Sequence, residues 1–184
     1  MKITFSKQEK IDIIENTISW IVVFMMCAYG VGKIVQFNGA IDVEKTLPEL
    51  TGMELMWAFY GYSLPFAIII GTLEVTGGLL IFFKRTRIIG CLFTSFILIN
   101  IILQNIIFDV KTGALISAII YQLLILIILW MNKTILIDVI KLLTNKRGKK
   151  YSLKKRIIPL FITFILFVIL LFLIHYSTSF LSHL

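Results

Sequence analysis

Five apolar stretches, at roughly residues 17–36, 57–83, 88–108, 114–131 and 157–175, are each long enough to cross a membrane, whose ~30 Å hydrocarbon core takes about 20 helical residues. Without water in that core, each spanning segment satisfies its backbone as a helix. The composition agrees: 59% of the 184 residues are hydrophobic and 15% charged, and the mean hydropathy is +0.97. The expected fold is all-α, a polytopic integral membrane protein with a four-helix transmembrane bundle and a fifth, C-terminal transmembrane helix.

A net charge of +8 points to nucleic acid only when the basic residues gather on a soluble surface. Here they flank the spans, so the partner they imply is the bilayer. Lys2, Lys7 and Lys10 precede span one, Lys84, Arg85 and Arg87 follow span two, and a further basic run extends from Lys133 to Arg156, whereas the opposite side carries only Lys45 and Lys111. By the positive-inside rule this predicts a multi-pass protein of the plasma membrane with a cytoplasmic N-terminus and an external C-terminus. The first stretch lacks a small-residue cleavage site and is interrupted by Lys33, so it is expected to be retained.

Four regions follow. Residues 1–16 form a cytoplasmic interfacial segment, 17–131 the bundle, 132–156 a basic cytoplasmic linker, and 157–184 the fifth span with an external tail. The turns "KRTR" and "DVKTG" are tight enough to make spans two, three and four sequential antiparallel neighbours.

Counting depth at 1.5 Å per residue brings the polar residues inside the spans together. Glu74 lies about 14 Å below the outer surface when counted from Pro65. Lys33 and Gln36 close span one on the outer side. Asn100, Gln104 and Asn105 occupy the outer half of span three, with Asp109 at its rim, and Ser117, Tyr121 and Gln122 the outer half of span four. A charge at mid-bilayer costs about 2.5–3.5 kcal/mol on insertion scales, so Lys33 and Glu74 should face the bundle interior and each other. Gly71 and Gly78 flank the acid at helical spacing and permit close helix approach.

Two readings of this polar chamber stand side by side: a structural ion pair that fixes helix register, and a site for a small polar molecule or an amphiphile head. The number of amides favours the second, since one ion pair does not need four. Trp57, Phe59, Tyr60 and Tyr62 form either an aromatic belt or a stacking surface for a planar ring such as a quinone. Cys27 and Cys91 lack a CxxC spacing and read as apolar fillers. Two histidines, His175 and His183, are too few for a metal or haem site, and no phosphate loop or nucleophile motif is present.

The order of "YGVGK", "FYGYSLPF", "GTLEVTGGLLIFFKRTRIIG" and "NIILQNIIFDV" over residues 17–131 resembles the DoxX-like family of small membrane proteins. The resemblance carries over Lys33, Glu74, Gly78 and Arg85. It implies a membrane scaffold or accessory subunit near quinone or thiol chemistry, of the kind associated with thiosulfate:quinone oxidoreductase, without showing catalysis. The cationic linker and span five extend beyond that pattern. The expected ligand-binding residues are Lys33, Glu74, Asn100, Gln104, Asn105, Asp109, Tyr121, Gln122 and Tyr62, with a quinone, lipid head or small solute as ligand and a membrane or extracytoplasmic protein as partner. A transporter or flippase driven by protonation of Glu74, and an assembly protein with a structural ion pair, are the competing expectations.

Overall fold

The computed structural model describes residues 5–41, 44–144 and 153–181, and the protein is an all-α polytopic membrane protein. Helix α1 spans Lys7–Gln36. Ser6 starts it with a capping box: its Oγ accepts from the Glu9 N–H at 3.2 Å while its own N–H donates to Glu9 Oε2 at 2.7 Å. No proline or glycine interrupts the chain between this cap and Gly30, so the expected interfacial segment is the first part of one continuous helix. At about 45 Å, α1 is longer than the hydrocarbon core is thick, and it has turns to spare at the interface.

The expected second span divides in two, as α2 (Gly52–Gly61) and α3 (Leu64–Phe82). Pro65 supplies the physical reason. It lacks an N–H and disfavours helical geometry at the preceding residue, so it is accommodated in the first turn of a new helix. Ser63 ahead of it is extended, with φ −138° and ψ 101°. Helix α2 folds over one end of the bundle, where a Cβ on Gly52 would lie 2.6 Å from the Phe108 carbonyl oxygen, an approach only glycine permits.

Helices α4 (Arg87–Ile107) and α5 (Thr112–Met131) complete the bundle. Contacts run from α1 to α3, α3 to α4, α4 to α5 and α5 back to α1, which closes an up-down-up-down ring. Val22, Met26, Ile81, Cys91, Leu98, Ala118, Ile125 and Ile128 fill its axis. Phe24, Val35, Phe96 and Ile107 stand exposed on the outside, as lipid-facing residues do. Among the described residues these four helices are long and apolar enough to cross a membrane.

The start of the expected linker is helical: α6 covers Lys133–Thr144 and is amphipathic, with an Asp138–Lys141 ion pair at 3.7 Å on its polar side. Most of the cationic run, at 145–152, lies outside the described residues, as do Lys2 and Asp42. Chain contacts separate a second unit beginning at Leu143, in which α7 (Leu153–Leu181) contains the fifth apolar stretch.

Candidate functional site

Met26, Tyr29, Gly30 and Lys33 recur on one face of α1 at spacings of three and four, and Gly71, Glu74 and Gly78 do the same on α3. The two stripes meet backbone to backbone. A Cβ built on Gly30 would lie 2.5 Å from the Gly71 carbonyl oxygen, and one on Gly71 would meet the Gly30 carbonyl in turn. This contact carries the helices close enough for Lys33 Nζ to sit 3.2 Å from Glu74 Oε1. Glu74 is fully buried and Lys33 is 13% exposed. The approach lacks hydrogen-bond geometry, and neither carboxylate oxygen has a hydrogen-bond partner among the described residues.

Beside this pair lies a cavity of about 450 Å³, at the end of the bundle covered by α2. Lys33, Glu74, Asn100, Gln104, Asn105 and Tyr121 all line it, so six of the nine expected residues converge. Asn105 is 7% exposed. Tyr60 on α2 donates its hydroxyl to Gln104 Oε1 at 2.8 Å, and Gln104 Nε2 donates to Asn100 Oδ1 at 2.6 Å, a relay that ties the cover to α4. Phe37 and Tyr60 stack at 4.8 Å, and Phe66 continues the stack 5.8 Å beyond Tyr60. Trp57 meets Phe37 edge-on at 5.9 Å, and its buried indole N–H has no acceptor among the described residues.

Three expected residues do not line the cavity. Gln122 follows Tyr121 by about 100° around α5 and faces α4, where its Nε2 donates to Ser95 Oγ at 2.6 Å. Asp109 serves the α4–α5 turn, with φ 47°. Asp is among the few non-glycine residues that tolerate this left-handed backbone. Tyr62 caps α2 just before the chain bends into α3 and is 79% exposed. Conversely, Phe37, Met26, Met53 and Met56 line the cavity without having been singled out. Only the three- and four-residue spacing of Met53, Met56, Trp57 and Tyr60 signals a common face.

The cover has its own electrostatics. Lys45 Nζ donates to Glu54 Oε1 at 2.6 Å, and Glu54 also accepts from the Thr51 N–H at 2.9 Å. The lysine first and the Thr51 backbone second pull the Glu54 carboxyl down to about 2.

A second polar cluster, missed by sequence reasoning, lies at the opposite end. Arg87 is 2% exposed and donates to three partners: Nε to the Ile81 carbonyl at 3.2 Å, one terminal nitrogen to Glu15 Oε1 at 2.8 Å, and the other to Asn16 Oδ1 at 3.0 Å. Asn132 adds a hydrogen bond to the same Glu15 oxygen at 3.2 Å. One guanidinium thus joins α1, α3 and α4, and Glu15 joins α5. Arg85, two residues earlier, is exposed. The signal was there: Glu15 continues the α1 stripe of Ser19, Met26 and Lys33.

No family model matches the chain, and no solved structure matches it. It is similar to the uncharacterized protein YwoB of Bacillus subtilis (strain 168), with 31% identity over 122 residues that cover 65% of this chain and 77% of the relative.

Proposed function

The chain belongs to the family of Bacillus subtilis YwoB, and from that premise we propose that it is a membrane binding subunit whose chamber around Lys33 and Glu74 holds a quinone, a lipid head or a small polar solute. The observation that carries this reading is the fully buried Glu74 carboxylate, which borders a cavity without a hydrogen-bond partner. A purely structural ion pair gains nothing from such a void, since a carboxylate held by one ammonium without hydrogen bonds retains much of its desolvation cost, and packed apolar side chains would replace the pair at lower cost. Lys33 supplies positive charge, Glu74 balances it or takes a proton, and the relay from Tyr60 to Asn100 orients the ligand.

In this reading the chamber faces outward, the N-terminus is cytoplasmic, the membrane is the plasma membrane, and the subunit is DoxX-like and accessory to a redox-associated complex. The charge asymmetry of the loops supports the orientation. A bound substrate would have to pass the Arg87 cluster to cross the bilayer, which supports binding over transport. A docking role for α7 is a second reading, supported by its side chains from Ile157 to Leu173, all of which are exposed.

Trp57 provides the test. The chain has three tryptophans, and Trp20 and Trp130 are 61% and 70% exposed. In a protein with Trp20→Phe and Trp130→Phe, titration with membrane lipid extract or a short-chain quinone should change Trp57 emission saturably, and Glu74→Gln should abolish the change. Emission that ignores every addition would sink the proposal.

A further inference from the structure

We propose that the ligand is an amphiphile with an oxyanion head, a carboxylate or phosphate on an apolar tail, and that its binding places a proton on Glu74. The inference rests on the chamber being a binding site and names what it takes. Among the described residues, two lysines, Lys33 and Lys111, line the cavity against one acid, Glu74. The Trp57 indole N–H is buried there without an acceptor. Gln104 and Asn100 turn their acceptor oxygens toward each other's relay, as described above, and so spend them within the protein. Helix α5 begins at the same wall: Lys111 and Ala114 line the cavity, no side chain caps the helix, and the space beside Gly113 is open. The helix N-terminus adds partial positive charge beside Lys111, although the Ala114 N–H is itself bonded to the Lys111 carbonyl at 2.9 Å. Lys33 and Glu74 offset one another in charge, which leaves Lys111, the Trp57 N–H and the α5 terminus as an excess of donors and positive charge, and an oxyanion meets it once Glu74 carries a proton.

The tail has a route. Ile70 and Leu73 on α3 and Phe96 and Ile97 on α4 line the cavity, and Leu73 and Phe96 are 39% and 75% exposed. The cavity therefore reaches the lipid-facing side of the bundle between α3 and α4, where an apolar chain can lie half in the protein and half in the bilayer.

The proton follows from charge. An oxyanion that reaches Lys33 comes beside the Glu74 carboxylate, and two like charges sharing one ammonium favour protonation of one of them. The Glu74 carboxylate takes a proton from solvent and then donates it as a hydrogen bond to the ligand oxygen. Among the described residues lining the cavity, the titratable groups around Glu74 are Lys33 and Tyr29 from α1, Tyr60 from α2, and Lys111 and Tyr121 from the start and body of α5, while α4 contributes only the amides Asn100, Gln104 and Asn105.

Calorimetry on the full chain in phosphatidylcholine nanodiscs tests this, with oleate, lysophosphatidate, oleyl alcohol, a short-chain neutral quinone, acetate and inorganic phosphate as probes. Oleate or lysophosphatidate should bind at least roughly tenfold more tightly than oleyl alcohol, and acetate and phosphate should not compete. Comparing buffers of different ionisation enthalpy should reveal uptake of about one proton in wild type and none in Glu74→Gln. Lys111→Ala, at an exposed position, should weaken oleate about threefold or more even if Lys33→Met fails to fold. Equal binding of the alcohol or the quinone would end the anionic assignment and leave the chamber reading standing. Binding of acetate or phosphate as tight as that of oleate would show a free-anion site instead. Failure of every probe, or affinity unchanged in Lys111→Ala, would also overturn the proposal.

Discussion

Both ends of the bundle hold an ion pair between α1 and a neighbour, and they are built in opposite ways. At one end Arg87 spends its donors on Glu15, Asn16 and the Ile81 carbonyl, and Glu15 takes a further bond from Asn132. At the other, Glu74 touches Lys33 at 3.2 Å, has no hydrogen bond and borders a cavity. A saturated network repays the desolvation of its charges and locks four helices into one register. An unsaturated one retains that cost, which a ligand or a proton can relieve. The difference separates a structural charge from one available for function, although the two pairs look alike as sequence.

The largest effect should come from the saturated end. Arg87→Ala leaves Glu15, Asn16 and a backbone carbonyl without their donor and should lower stability by about 3–5 kcal/mol, read as a drop in unfolding midpoint in detergent. A loss under about 1 kcal/mol would erase the contrast between the ends. Next, Gly30→Leu forces a side chain against the Gly71 carbonyl and should cost about 1–3 kcal/mol while parting Lys33 from Glu74, so ligand retention should fall with it.

Glu74→Gln should behave differently from Arg87→Ala. The substitution relieves the desolvation of an acid without a hydrogen bond but leaves Lys33, 13% exposed beside the cavity, without its counter-charge, so stability should fall by only about 1–2 kcal/mol even as the ligand is lost. A loss as large as that of Arg87→Ala would make the pair structural. The smallest effect belongs to the cover. Glu54 titrates below its ordinary value of 4.5, at about 2, so the contact with Lys45 is fully stabilising above 4.5 and is lost as pH falls through about 2. In the protein retaining only Trp57, acid should loosen α2 across that window, seen as a red shift in emission, and Lys45→Ala should move the midpoint up toward 4.5.

The bundle and its central pair were legible in the chain because the bilayer imposes a depth scale: residues counted from the span ends fall at known heights, and Lys33, Glu74 and Asn100 coincide in height. Height does not supply direction around a helix. Gln122 therefore shares the height of Tyr121 yet faces α4, where it bonds Ser95. Hydropathy alone also hid the division between α2 and α3, because the apolar run continues through Tyr62 and Ser63, and only Pro65 marks the break. Arg87 escaped notice for another reason. A basic residue in a short loop usually marks membrane topology, and its burial depends on Glu15 and Asn132, which are 72 and 117 residues apart from Arg87 and from Glu15 respectively.

Native mass spectrometry of the purified chain, wild type beside Glu74→Gln, tests the central claim most directly. The account predicts one small molecule retained by the wild type and absent from the variant, with both folded to similar stability. Two bare proteins, or the same molecule held equally by both, would contradict it.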